Sequence, residues 1–316
     1  MSGVLQQLRD YGQWANSVAD TRTGGWFLMY SPLNTYTLVA LYLVMAYCGP
    51  RVMASRQALD LKLPMLVYNF ALVILSAYMF KEFFVTTVLN PKFNVSCEAV
   101  DYSDDPMSVR LAGACWWFFF SKIIELLDTV IFMLRKKNNQ ISFLHVYHHA
   151  TMPVLWWIGV RYVAGGSSFF SGMVNCFIHV LMYGYYFLSA LGPWIQPYLW
   201  WKKYLTSLQL IQPYLWWKKY LTSLQLIQFF TVLIHCGFVM YHQCGFPNGY
   251  VYALIAYLIS HILLFSNFYN QQYVVKAKKG ESKKNDGQAE NGASETPSRN
   301  GRYNLRERSP RTPYKE

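Results

Sequence analysis

The sequence predicts an all-α polytopic membrane protein with seven transmembrane helices, and three observations predict it. Of its 316 residues, 53% are hydrophobic and 18% aromatic, against 14% charged. Mostly apolar stretches of about 20 residues recur along the chain, the length a helix needs to cross a bilayer. Between these stretches, loops rich in Lys and Arg alternate with loops poor in them, as they do when successive loops fall on opposite sides of a membrane.

Residues 1–31 are mixed in character and predict an interfacial segment, with Trp14, Trp26 and Phe27 at the membrane boundary. The first 26 residues lack the continuous apolar core of a cleavable signal peptide, so the first span is expected to act as the insertion signal. That span covers 33–48 and is expected to stop at Gly49-Pro50. A second covers 64–84, with Pro64 in its first turn. The loop over 87–110 carries Glu98, Asp101, Asp104, Asp105, Cys97 and the glycosylation sequon Asn94-Val95-Ser96. The third span, 111–134, holds KIIELLDT at 122–129 and ends at Arg135-Lys136-Lys137. The fourth, 141–160, contains HVYHH at 145–149, and Gly165-Gly166 breaks the chain after it. The fifth, 169–191, carries Asn175, His179 and MYGYY at 182–186.

Beyond the fifth span the chain carries a tandem copy. IQPYLWWKKYLTSLQL occupies 195–210 and, letter for letter, 211–226. As a continuous helix, 16 residues add about 24 Å and rotate the downstream chain by about 160°, so the two copies cannot share one environment. Pro213 would also disrupt a helix through the junction. The second copy is expected to lead into the sixth span, 220–241, leaving the first as an extra interfacial segment. A seventh span covers 250–270. From 276 to 316 the chain is rich in Lys, Arg, Ser, Asn, Gly and Pro, and is expected to be a disordered tail. The chain thus divides into an N-terminal segment (1–31), a seven-helix domain (32–275) and a basic tail (276–316).

Loop charge sets the orientation. Arg51, Arg56 and Lys62, the 135–137 cluster, the lysines of 202–219 and the tail all fall on the cytosolic side. The N-terminus and the loops 87–110, 161–168 and 242–249 fall opposite. This accounts for the net charge of +12 without a nucleic-acid partner. It also puts Cys97 and Cys244 in one oxidising compartment, where they either pair or stay free.

Candidate chemistry centres on HVYHH. At about 100° per residue, His145, His148 and His149 share a face about 100° wide, with Tyr147 pointing away. Polar side chains in an apolar span are costly unless paired or used, and three clustered imidazoles are poorly explained as packing. Lys122, Glu125, Asp128 and Thr129 form a second stripe within about 120° of arc. Asn175, His179, Met182, Tyr183 and Tyr186 form a third. Gln225 and Gln228 form a fourth with Thr222. Four stripes on four spans predict a polar chamber inside the bundle.

A di-iron centre is excluded, because such membrane enzymes need about eight histidine ligands and this chain has seven histidines, with His235, His242 and His261 scattered. A single zinc lacks the usual ligand spacing and a carboxylate partner, so no metal is expected. Burial in an apolar chamber favours neutral imidazole, which is a nucleophile toward thioesters and a general base.

KIIELLDT, HVYHH, NCFIHVLMYGYY and YLWWKKYLTSLQLIQ together resemble the signature boxes of the very-long-chain fatty acid elongases, in family order, over roughly residues 25–275. The resemblance implies a 3-oxoacyl-CoA synthase of the endoplasmic reticulum membrane, which condenses a long acyl-CoA with malonyl-CoA and releases CO2 and CoA. It implies that six of the seven helices form a barrel around a narrow acyl tunnel, closed at the lumenal end. No bound cofactor is implied. The expected partners are acyl-CoA and malonyl-CoA, the lipid bilayer, other enzymes of the elongation cycle and a second copy of the chain. On this reading His148 is the nucleophile, and His179 and Asn175 hold the thioester or enolate oxygen. His145 and His149 orient groups or shuttle protons. Lys122 meets CoA phosphates, and Glu125 and Asp128 fix their neighbours. Tyr183, Tyr186, Gln225 and Gln228 support the site. The competing class is a seven-helix lipid receptor or transporter, which predicts binding without turnover and leaves the clustered histidines unexplained.

Overall fold

In the computed structural model, residues 2–191 and 213–275 are described, and all their regular structure is helical. The helices are α1 (Ser2–Ser17), α2 (Pro32–Val52), α3 (Lys62–Thr86), α4 (Pro106–Ile124), α5 (Leu127–Leu134), α6 (Phe143–Tyr162), α7 (Phe169–Leu191), α8 (Pro213–His242) and α9 (Asn248–Tyr269). Asn270–Val275, which belongs to a separate unit, is a π-helical turn. The first tandem copy, 195–210, and the tail, 276–316, lie outside the described residues.

Capping residues open the helices where the sequence supplies them. Ser31 Oγ accepts from Leu33 N ahead of Pro32, and Asp105 accepts from the amides of Met107 and Ser108 ahead of Pro106. Both follow the pattern of a side-chain oxygen at the cap and proline in the first turn. Pro213 is the first described residue of α8, and the junction before it lies outside the described residues.

Two boundaries differ from expectation. Helix α2 does not stop at Gly49-Pro50 but continues to Val52, closed by Met53 N on Gly49 O at 2.9 Å. Pro50 sits in the last turn, where it cannot donate to the Ala46 carbonyl four residues back. The predicted third span is two helices, because the chain turns at Glu125-Leu126. There Leu126 N bonds Ile123 O (3.3 Å) and Asp128 N bonds Glu125 O (3.1 Å), the tighter three-residue pattern.

By length and composition, four helical stretches among the described residues can cross a membrane: Lys62–Thr86, Gly166–Leu191, Tyr220–His242 and Asn248–Gln272. The burial pattern is that of a protein in lipid. Leu41, Val44, Val67, Ile74, Ile234 and Leu263 are more than half exposed, while Lys122, Glu125, Thr129, Asn175, His179 and His261 are buried. Helix α6 packs on α4, α4 on α3, α3 on α7, α7 on α8, α8 on α9 and α9 back on α6; α2 packs on α5 and α6.

The ends of these helices are tied together on one side. Cys97 and Cys244 form a disulfide across 147 residues, with Cα atoms 5.7 Å apart. The Ser167 amide and hydroxyl both bond Glu98 O at 2.9 Å. Gly166 makes this approach with φ +50°, and a Cβ there would lie 2.7 Å from Ala99 O. The segment before α2 docks on the same end: Asp20 N bonds Arg161 O (2.8 Å), and Trp157 Nε1 bonds Leu28 O (2.9 Å). Asn94 is exposed, and its side chain accepts from Ser96 N at 3.0 Å.

This end of the molecule offers two measurable effects. Cys97→Ser is expected to remove about 2–4 kcal/mol of stability, since the cross-link closes a long loop; the thermal midpoint of detergent-purified protein measures it. Asp101 is held below the usual carboxylate range, chiefly by the Ser108 hydroxyl at 2.5 Å and then by Ser103 N. A depressed carboxylate contributes stability above its unfolded value of about 4 and loses it as pH falls through its folded value. Amide exchange over 101–109 should therefore be flat from neutral pH to about 4 after correction for intrinsic rates, and rise below it. In Ser108→Ala exchange should already be faster at neutral pH, and the rise below about 4 should be smaller.

Candidate active site

Ser142 caps α6 by accepting from His145 N at 3.2 Å, which fixes where the HVYHH run enters the helix. The three histidines lie on adjoining turns but meet different neighbours. His145 Nε2 is 2.8 Å from Thr129 Oγ1 of α5, which is 3.1 Å from Tyr42 OH of α2. His149 packs its ring 4.3 Å from that of His145 and stands edge-on to His148 at 5.4 Å. His148 Nδ1 lies 3.3 Å from His261 Nε2 of α9. Tyr147 also meets α9: its hydroxyl is 3.1 Å from Ser260 Oγ, and its ring lies 5.3 Å from His261.

The turn at Glu125 builds a second cluster. Glu125 Oε1 accepts from Lys122 Nζ at 2.7 Å and lies 3.3 Å from His179 Nδ1 of α7. Lys122 Nζ also donates to Asn175 Oδ1 at 3.1 Å and sits 4.4 Å from the Phe118 ring centre. A carboxylate and an ammonium this deep are tolerated only as partners, and each has further polar contacts. One turn on, Asp128 Oδ2 accepts from Tyr183 OH at 2.9 Å. Tyr68 of α3 packs edge-on to Tyr183 and donates to Ile124 O at 3.4 Å.

Beside these clusters lies a cavity of about 450 Å³ between α4, α6, α7, α8 and α9. His148, Asn175 and Gln228 line it, with His235 and Ser171 among otherwise mostly apolar walls. Toward the disulfide it reaches Phe246 and Tyr250. Its volume and lining suit a long apolar ligand with one reactive polar end.

The sequence-predicted residues are thus sorted. His148, Asn175 and Gln228 reach the cavity; Glu125, His179 and Lys122 form a buried cluster linked to it through Asn175. Lys122 does not stand where a CoA phosphate would meet it, because it is 2% exposed and its protons go to Glu125 and Asn175. Gln225 Nε2 contacts Met182 Sδ at 3.7 Å, and Tyr186 is 39% exposed on α7 beside Tyr183. Among residues set aside as scattered, His261 is fully buried against His148. His235 stacks on Phe170 at 4.3 Å and is 3.3 Å from Val95 O, while His242 is exposed. The only sequence signal for His261 was an ionisable group inside an apolar span.

Known proteins share this sequence pattern. The GNS1/SUR4 family pattern matches residues 27–215 and again 212–281, the two matches meeting at the tandem copy. "Very long chain fatty acid elongase 4" of Mus musculus is 46% identical over 273 residues, covering 86% of this chain and 82% of its own length. "Very long chain fatty acid elongase 5" of Tachysurus fulvidraco is 43% identical over 267 residues, 84% of this chain and 83% of its own. "Very long chain fatty acid elongase 7" of Drosophila melanogaster is 40% identical over 258 residues, 81% of this chain and 73% of its own. With most of its length matched at such identity, the chain belongs to the GNS1/SUR4 family of very long chain fatty acid elongases.

Proposed function

We propose that this elongase is a 3-oxoacyl-CoA synthase of the endoplasmic reticulum membrane, condensing a long-chain acyl-CoA with malonyl-CoA to 3-oxoacyl-CoA, CO2 and CoA. One observation carries the reading: a histidine, His148, stands with Asn175 on the wall of a buried, mostly apolar cavity. The fatty chain occupies the cavity and its thioester meets the imidazole. A lone pair of the ring forms an N–C bond to the carbonyl, the C–S bond breaks, and CoA departs as a thiolate that takes a proton from water. Decarboxylation of malonyl-CoA leaves an enolate, whose carbon forms the new C–C bond as the acyl–imidazole bond breaks. Asn175 donates from its side-chain amide to the developing oxyanion, His179 joins it as the doubly protonated ring with Nδ1–H held by Glu125, and the Lys122–Glu125 pair positions both.

The pairwise packing of α3, α4, α6, α7, α8 and α9 supports an enclosure of six helices with α2 outside it, seven spans in all when α4 and α5 count as one. The disulfide supports a lumenal 87–110 loop and hence a lumenal N-terminus and a cytosolic C-terminus. Asn94, exposed in that loop, is the proposed glycosylation site. Other enzymes of the elongation cycle and a second copy of the chain are the proposed protein partners.

The test is expression in cells lacking their own elongases, for the full chain and for a chain without 195–210, followed by fatty-acid profiling and incubation of microsomes with labelled malonyl-CoA. Label in lengthened chains supports the synthase. Binding of acyl-CoA with no label incorporated by either form would favour the receptor or transporter reading.

A further inference from the structure

His261 belongs to no signature box, yet it is the one side chain hydrogen-bonded to the His148 imidazole among the described residues. Its own surroundings dictate which of its nitrogens carries a proton. Nδ1 lies 3.0 Å from the carbonyl oxygen of Tyr257, one turn back on α9. A carbonyl only accepts, so Nδ1 must be the donor. Ser260 Oγ, 3.4 Å from the same nitrogen, does not compete as a donor, because its hydroxyl proton goes to Tyr257 O at 2.7 Å. In the neutral ring Nε2 of His261 is then an acceptor, and it is this atom that faces His148 Nδ1 at 3.3 Å.

The consequence passes across the helix interface. His148 must donate from Nδ1, and its Nε2 is left with a lone pair, engaged by no hydrogen bond of the described residues. Which imidazole nitrogen is protonated is set by the bond the other makes. We propose that His261 is a positioning residue that locks His148 in the tautomer whose Nε2 attacks the thioester. The inference rests on the acyl-imidazole reading above. As the N–C bond forms at Nε2, the positive charge on the His148 ring is shared along its Nδ1–H bond to His261. The proton stays on Nδ1 in this bond, so the ring carries the acyl group as an acyl-imidazolium and leaves as neutral imidazole when the new C–C bond forms.

The fold keeps this bond out of competition. His261 is 0% exposed, and its ring packs against Tyr257 at 4.0 Å, Tyr147 at 5.3 Å and Phe229 at 5.6 Å. Three aromatic rings hold the imidazole plane, so rotation of His261 to present Nδ1 to His148 would sacrifice the bond to Tyr257.

The experiment uses the full chain purified in detergent, with 15N-labelled histidine, as wild type, His261→Phe, His261→Gln and His148→Ala. In wild type the His148 nitrogen shifts should be those of a protonated Nδ1 and bare Nε2, and in His261→Phe those of a tautomer mixture. Single-turnover CoA release from acyl-CoA should fall about tenfold in His261→Phe, the low end of what removing a histidine-orienting partner costs. His261→Gln, whose side-chain oxygen accepts from the same Nδ1–H, should recover most of the rate and the single tautomer. Wild-type rate and tautomer in His261→Phe would overturn the proposal, as would His261→Gln matching Phe in rate at an unchanged melting temperature. His148→Ala tests the underlying reading separately: if it releases CoA at the wild-type rate, the nucleophile is wrong, and the nitrogen shifts alone then decide the role of His261.

Discussion

Replacing His148 by Ala is expected to reduce 3-oxoacyl-CoA formation by about a thousandfold or more, since loss of a covalent nucleophile removes the route itself rather than one contribution to it. Its neighbours set the scale for comparison. His145 is tied to Thr129, and His149 packs between the other two rings, so neither has the bond to α9 made by His148, which lines the cavity. Ala at either should cost less than at His148 and should not abolish CoA release. Microsomes given labelled malonyl-CoA provide the measurement. Undiminished product from His148→Ala would remove this residue from the chemistry.

The second large effect lies in stability. Lys122→Met is expected to destabilise the folded chain by about 3–5 kcal/mol, because it leaves the Glu125 carboxylate buried without its cation. Glu125 would keep His179 at 3.3 Å and Ser121 Oγ at 3.4 Å, but neither offers a permanent charge. The double change Lys122→Met with Glu125→Leu should recover part of the loss, as buried pairs replaced together by apolar groups often cost little. Thermal unfolding in detergent, followed by the fraction remaining monodisperse, reads both variants. A single variant as stable as wild type would mean that the pair contributes nothing to holding α4 against α7.

The sequence alone determined that the chain is helical and membrane-bound, that imidazoles concentrate on one span, and that carboxylates, an amide and a further imidazole stand on two others. Those are matters of composition and of periodicity along one helix, which a linear string carries in full. Cys97 and Cys244 could be assigned to one side from loop charge, but their pairing could not. What only the tertiary structure decided is which polar group meets which. The wheel placed Lys122, Glu125 and Asp128 on one stripe, but the turn at Glu125-Leu126 aims Glu125 at His179 and Asp128 at Tyr183. It drew the three histidines onto one face, yet packing against α5 and α9 gives His145 to Thr129 and His148 to His261. His261 is 113 residues from His148, and no local rule links positions so far apart. The physical reason is that helix periodicity is set by hydrogen bonds within a segment, whereas the partner of a buried polar side chain is chosen by helices packing across the bundle, where each unmet group carries a desolvation cost.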